Sequence, residues 1–452
     1  MLMRTSTGNG RAPMPLNGAR RVVVTGLGAV TPLGLNVADT WAGIRANRCG
    51  VGPITIFDAS RFETRIAAEV HGFDFSEFKA PAGVAEVLDR KNSFGYAAAL
   101  EALADAGLLE PAAAQSGWGE LGSSFDPLRF GVSLGTEGRR DSLLPELAAR
   151  KLLPPTPADR KKALADVPRS EYLRYSPYSL AFALSTAFDL RGPSSTISTA
   201  CTSSSQALGY ALRRIRAGDA DVMLAGGAES LMEPTQVAGF ILLGALSKRN
   251  DDPAHASRPF DADRDGFVLA EGAAMLVLED AWHAYRRGAR IYAEFAGFGA
   301  SINSYRLTDS PPDGEGPMLA MKAALADAGL RPEEVDYINA HGTSTLQNDA
   351  SETMAIKRCF GPLAKQIPVS STKSMTGHMV NAAGAIEAIL SVLAMRDGYL
   401  PPTINYERAD PACDLDYIPN RGREARVQIA VSNSFGFGGS NGSVVLRAYP
   451  ET

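Results

Sequence analysis

One seven-residue string occurs twice in this chain, and it constrains the fold more than any other feature. Ala102-Leu103-Ala104-Asp105-Ala106-Gly107-Leu108 returns unchanged as Ala324-Leu325-Ala326-Asp327-Ala328-Gly329-Leu330. Each copy reads as a helix end with glycine just past it. Each leads through a short polar stretch to an apolar strand, Arg129–Leu134 in the first half and Val335–Ala340 in the second. Gly135-Thr136 follows the first strand, and Gly342-Thr343 follows the second after His341. Further strand-like runs also come in pairs. Thr196–Thr199 precedes Cys201, and Pro368–Thr372 precedes Lys373 and His378. Val222–Ala225 is expected to break into a loop at Gly226-Gly227, and Val427–Val431 into the glycine-rich Phe435–Gly439. The period is half the chain, too long for a solenoid. It predicts two α/β halves related by a pseudo-twofold axis, with strands buried on both faces.

The expected organisation is a disordered tail over residues 1–20, a first half over 21–290 and a second half over 291–452, packed as one unit with a seam near Arg290. Residues 141–176, rich in charge and proline, have no counterpart of matching length and read as an insertion that caps a face or makes a subunit contact. The first twenty residues have no apolar core, so they are neither signal peptide nor anchor. The longest apolar run, Val237–Leu246, is too short to span a bilayer. A net charge of −5 gives no case for nucleic acid or an anionic membrane. Cys49, Cys201, Cys359 and Cys413 are scattered without metal-ligand spacing, as expected of reduced thiols in a cytoplasmic protein.

Strand ends that correspond under the pseudo-axis would meet near it, which brings Cys201 towards His341 and His378. The residues after Cys201 are amphipathic at helical spacing (Ala207, Leu208, Ala211, Leu212, Ile215), and Gly218 is a stop. A cysteine at a helix N-terminus is expected to favour the thiolate, the nucleophilic form, although a small buried core cysteine is the plain alternative. The chain has five histidines, and His341 and His378 follow strands in loops of small residues. Each could be a hydrogen-bonded structural imidazole. A metal site is a poor reading, because the pair lacks helical i,i+4 spacing and an acidic cluster. Together with Cys201 they suit thioester chemistry. The cysteine takes an acyl group, and two neutral imidazoles donate N–H to the carbonyl of a second thioester as CO2 leaves. Backbone N–H groups of Cys201 and of the loop near Phe437 would hold the tetrahedral oxyanion. Lys373, five residues before His378, would disfavour imidazolium; a solvated surface lysine is the alternative.

These residues resemble the β-ketoacyl-acyl-carrier-protein synthase family, synthase II type, of the thiolase superfamily. The resemblance runs from about Arg21 to Arg447. It is carried by VVVTGLGAVTPLG (22–34), LRGPSSTISTACTSSS (190–205), DVMLAGGAES (221–230), SRPFDADRDGFVLAEGA (257–273), NAHGTSTLQND (339–349), KSMTGH (373–378) and NSFGFGGSNG (433–442). It implies a duplicated, five-layer αβαβα fold and a cytoplasmic homodimer. By the same resemblance Cys201 is the nucleophile and His341 and His378 are the decarboxylation and condensation pair. Lys373 and Glu387 support them, Thr343 and Thr345 contact a phosphopantetheine arm, and Phe437 is the gate whose N–H completes the oxyanion hole. No cofactor is bound, since the substrates ride on the phosphopantetheine of an acyl carrier protein. Arg90, Lys91, Lys248 and Arg249 lie in segments that resemble the family's carrier-docking surface, with ordinary solvated basic residues as the alternative.

The chain also departs from the family. Gly135-Thr136-Glu137-Gly138-Arg139-Arg140 replaces a glycine-rich Gly-Ser-Gly-Ile-Gly-Gly at the far end of the acyl pocket. Asn381 stands where glycine is usual, and is expected to take the left-handed turn. Arg306 stands where histidine is frequent. These departures open a specialised polyketide or polyene ketosynthase as a second reading beside the primary fatty-acid enzyme. Two other readings share the fold: a CoA-dependent thiolase-like acyltransferase, and a ketosynthase subunit paired with a non-catalytic chain-length partner. The first would carry a second cysteine in the C-terminal glycine-rich loop, where this chain has Phe435 and Phe437. A non-catalytic subunit itself would lack the nucleophile.

Overall fold

The computed structural model describes residues 20–109, 122, 125–138, 156, 158 and 169–450. The tail, Arg139 and Arg140, and most of the 141–176 insertion lie outside the described residues. Ten strands form one mixed sheet: β1 (Val22–Val30), β2 (Phe130–Gly135), β3 (Ser194–Ile197), β4 (Val222–Glu229), β5 (Gly272–Asp280), β6 (Ala293–Ile302), β7 (Tyr337–Asn339), β8 (Val369–Ser370), β9 (Ile429–Phe435) and β10 (Ser440–Ala448). The spatial order is β8-β7-β9-β10-β6-β1-β5-β4-β2-β3. Numbered within each half, that order is 3-2-4-5-1 on both sides of the middle. The parallel and antiparallel pairings also match from half to half. The halves join where β1 meets β6 through the short pairing Val23↔Glu294 and Val24↔Ala293.

Six helices position the layers: α1 (Arg90–Asp105), α2 (Ser203–Arg216), α3 (Pro234–Leu242), α4 (Glu315–Asp327), α5 (Leu346–Phe360) and α6 (Ala383–Asp397). Helix α1 covers β1 and β5, and α4 covers β6 and β10, on the two outer faces. Helices α2 and α6 touch strands of both halves and each other, so they form the middle layer. That gives five layers, α-β-α-β-α. Their cores are correspondingly separate, one central and one under each outer helix. Helix α6 is enclosed on all sides and is buried from Ala383 to Ala394, a stretch that is apolar or glycine except for Glu387 and Ser391. Helix α2 buries Ala207, Leu208, Ala211, Leu212 and Ile215 and turns its arginines outward.

The repeated string has a physical cause. Strand β1 bulges between Val24 and Gly26, and β6 bulges between Phe295 and Gly297. The bulge leaves an N–H without a ladder partner. Asp105 accepts it from Leu27 at 2.9 Å, and Asp327 accepts it from Phe298 at 2.9 Å. A Cβ on Gly28 would lie 1.9 Å from Ala98 O, and one on Gly299 would lie 2.2 Å from Ala320 O, so each outer helix sits on glycine backbone.

One expectation fails here. Gly226 and Gly227 do not open a loop; they continue β4 to Glu229. A Cβ on Gly226 would lie 2.0 Å from Ala274 O of β5, so these glycines serve close strand packing instead.

Candidate active site

Strand β3 delivers the chain to a tight turn, Ala200–Thr202, from which α2 starts at Ser203. Ala200 has φ +52, a left-handed conformation that a non-glycine residue holds only when its surroundings enforce it. The enforcing bonds are local. Thr199 N–H donates to Ser203 Oγ at 2.9 Å, and Thr202 Oγ1 donates to Thr199 O at 2.8 Å. Cys201 is at the tip of this elbow and is buried. Its own N–H and that of Phe437 face the sulfur, and Lys373 adds positive charge. All three favour the thiolate, as anticipated, but burial outweighs them and pushes the thiol up to about 11. Burial thus opposes the thiolate that the helix tip favours.

His378 Nε2 stands 3.0 Å from Cys201 Sγ. The His378 backbone is fixed on both sides, by N–H donation to Val268 O at 2.8 Å and by accepting from Ala270 N–H at 3.0 Å. His341 lies edge-on to His378, with ring centroids 5.3 Å apart. A donor atom from each of Cys201, His341 and His378 falls within 4.8 Å of the others. Both imidazoles are held well below the ordinary histidine pKa, first by burial and then by Lys373. They are neutral at physiological pH.

Lys373 is buried in an ion pair with Glu387 of α6, and its ammonium also donates to His341 O at 2.7 Å. Burial raises the Glu387 carboxyl to about 7, with Lys373 acting against that rise. Glu352 of α5 carries no role in the sequence reading. Its carboxylate accepts from His341 N–H at 2.9 Å and Gly342 N–H at 2.8 Å, so it sets the His341 loop. A glutamate inside a helix gives no signal that it faces a loop instead of solvent.

Two cavities meet at the sulfur. The outer one, of about 230 Å³, is lined by His341, His378, Thr343 and Thr345. The inner one, of about 290 Å³, is lined by Glu137, Gly138, Leu231, Gln236 and Val380. Both are also lined by Cys201, Leu243, Phe267 and Phe437, so the two cavities share these walls. Thr343 and Thr345 hydroxyls are 2.9 Å apart.

Asn381 departs from its expected geometry. It sits in the turn Val380–Ala382 before α6, and the positive φ falls on Val380 at +39 instead. The Asn381 carboxamide accepts from Ser203 Oγ at 2.8 Å and donates to Glu229.

The proposed docking residues do not act as one basic patch. Lys91 is 1% exposed and donates to Glu137 O, so it offers no charge to a partner. Arg90 makes a two-bond pair with buried Glu271. Lys248 is exposed and paired with Glu63, and Arg249 is half-buried. Of the remaining cysteines, Cys413 is buried away from the site against Arg264 and Asp349.

Known proteins match this chain along most of its length. Residues 19–284 match the beta-ketoacyl synthase N-terminal domain, and residues 292–407 match the beta-ketoacyl synthase C-terminal domain. The 3-oxoacyl-acyl-carrier-protein synthase 2 of Coxiella burnetii is 46% identical over 443 residues, covering 94% of this chain and 98% of that protein. A solved type II PKS ketosynthase, bound to the hexaketide and in complex with its acyl-carrier protein, is 36% identical. Its TM-score is 0.83, with 96% of this chain and 100% of that chain covered. The ishigamide ketosynthase/chain length factor is 34% identical, with a TM-score of 0.82 and coverage of 96% and 100%.

Proposed function

The chain belongs to the beta-ketoacyl synthase family, and from that premise we propose that it condenses an acyl group held on Cys201 with a malonyl group on an acyl carrier protein. The products are a β-ketoacyl carrier protein and CO2, in fatty-acid or type II polyketide synthesis. The observation that carries this reading is the position of Cys201 Sγ, where two cavities join, 3.0 Å from His378 Nε2.

The steps follow from the geometry. Cys201 attacks the incoming acyl thioester while its proton passes to His378, which hands it to the departing carrier thiolate and is neutral again. The acyl chain then occupies the inner cavity. The malonyl arm enters the outer cavity along Thr343 and Thr345. Neutral His341 and His378 donate N–H to its thioester oxygen, so the enolate forms as the carboxylate departs as CO2. The enolate carbon attacks the acyl-Cys201 carbonyl. The N–H groups of Cys201 and Phe437 hold the oxyanion, and the Cys201 thiolate is released and reprotonated. Lys373 and Glu387 act behind the histidines, Lys373 by keeping them neutral. The protein works as a cytoplasmic homodimer in this account. Pairing with a second ketosynthase-like chain is the alternative, favoured by the likeness to the chain-length-factor complex.

The test is a reconstituted turnover with acyl and malonyl carrier proteins. Equal amounts of CO2 and β-ketoacyl carrier are expected. Acyl exchange without CO2 release would overturn the reading.

A further inference from the structure

Four leucines stand at the mouth of the outer cavity, between the polar 308–310 and 347–348 segments that also line it. Leu243 and Leu346 line it, and Leu242 and Leu307 flank lining residues. Leu242 is 88% exposed and Leu307 is 77% exposed. They project from different segments, the end of α3 and the 303–310 loop. Leu307 O accepts the Gly438 N–H at 2.6 Å, which ties the mouth to the loop that carries Phe437. Clustered exposed leucines from separate segments around one opening mark a contact surface, unlike leucines scattered singly.

The charges beside this mouth cancel. Lys248 pairs with Glu63, and Arg306 lies 3.4 Å from Asp309. Asp265 lines the mouth and accepts the Lys248 N–H. Arg249 donates to Asp263 O at 3.3 Å. Among the described residues, four cationic side chains (Lys248, Arg249, Arg306, Arg408) therefore stand with four carboxylates (Glu63, Asp263, Asp265, Asp309), and they leave little net field to steer an acidic partner.

We propose that the carrier protein docks on this leucine lip by apolar contact, in place of a basic patch. The inference rests on the carrier-dependent reaction above. Anything that threads a thioester through this opening to Cys201 must rest its body on the lip, so the occupant is the carrier, presenting an apolar face beside its arm.

The test compares a carrier-bound acyl thioester with a small acyl-pantetheine thioester. Leu242→Ser/Leu307→Ser and Leu242→Lys/Leu307→Lys alter exposed side chains outside the cavity lining. Both variants are expected to raise KM for the carrier substrate by about tenfold or more, with pantetheine turnover as the unchanged reference. For the unaltered protein, kcat/KM with the carrier is expected to vary less than about threefold between ~50 and ~500 mM salt. A lower KM in the lysine variant, or a steep fall with salt, would assign docking to charge and overturn the proposal. A changed native mass with unaltered KM would assign the lip to a second copy and overturn it too. If the unaltered protein turns over neither thioester, the reaction itself fails, which is a separate and recognisable result.

Discussion

Cys201 and Asn381 hold equivalent positions in the two halves, each two residues before a middle-layer helix and each directly after a residue forced to positive φ, Ala200 and Val380. The two elbows face one another, and the Asn381 carboxamide joins them through Ser203 Oγ. One elbow carries the nucleophile. The other carries the turn that follows His378. The 3.0 Å approach of His378 to Cys201 therefore depends on how firmly these elbows are joined.

Replacing Asn381 by alanine breaks that joint and removes the carboxamide that Ser203 Oγ and Glu229 both bond. A loss of about 1–3 kcal/mol in stability is expected, read by thermal melting, together with slower acylation of Cys201. Unchanged acylation would mean that the joint does not set the Cys201–His378 distance.

The histidine variants should separate the half-reactions. His341→Ala removes an N–H donor to the enolate oxygen but no direct neighbour of the sulfur, so decarboxylation should fall by roughly 10²–10³-fold while acylation is retained better. His378→Ala should follow the same order with a larger acylation loss. Equal loss of both half-reactions in both variants would mean that the histidines act mainly on the thiol.

The acidity of the site gives a pH prediction. Cys201 is raised to about 11, so it is a thiol at neutral pH, and His378 must take its proton. His378 is lowered well below 6.5, so it is already unprotonated there and gains a proton only well on the acid side. Neither Cys201 nor His378 should therefore titrate in the acylation profile from about pH 6.5 to 8.5, and any inflection near 7 belongs to the buried Glu387 or Glu352 carboxyl and disappears in the Gln variants. A rise of tenfold per pH unit through that window would show attack by pre-formed thiolate, and an inflection near 6.5 that persists in those variants would show a solvated imidazole.

How much of this was legible in the sequence depends on where the signal lay. Cys201, His341 and His378 were readable because they follow strands beside small residues, and the repeated string predicted which strand ends meet. The Asp105 and Asp327 contacts explain the repeat but need coordinates to see. Lys91 reads like any basic residue at the start of a helix, and only packing shows that it is enclosed. The left-handed residue was expected at Asn381 because asparagine tolerates it. The chain places it one residue earlier, on Val380, since the Asn381 side chain is used to bridge Ser203 and Glu229. Glu352 was invisible, because the groups it accepts from, two N–H groups of the His341 loop and the Asn433 carboxamide, lie on other elements.

Glu352 itself can be tested. Glu352→Gln keeps one acceptor and turns an amide N–H towards the other donor. His341 should shift, and decarboxylation should fall on the order of 10²-fold with substrate binding nearly unchanged. Full activity would leave Glu352 as a packing residue only.

The Lys373–Glu387 pair is 2% exposed on both sides. Removing either partner strands a buried charge, so Lys373→Met or Glu387→Leu should each cost about 3–5 kcal/mol in a denaturation series. The double variant should recover much of that stability and still decarboxylate poorly, because the His341 carbonyl loses the Lys373 hydrogen bond that holds its loop. Recovery of both would show that the pair serves folding alone.

The most direct measurement is the mass of the Cys201 peptide after the protein meets an acyl carrier protein in the absence of malonyl carrier. The account predicts one acyl group on that peptide, lost when malonyl carrier is added and absent in Cys201→Ala. Acyl mass on another peptide, or a Cys201→Ala protein that still acquires the acyl group, would contradict it.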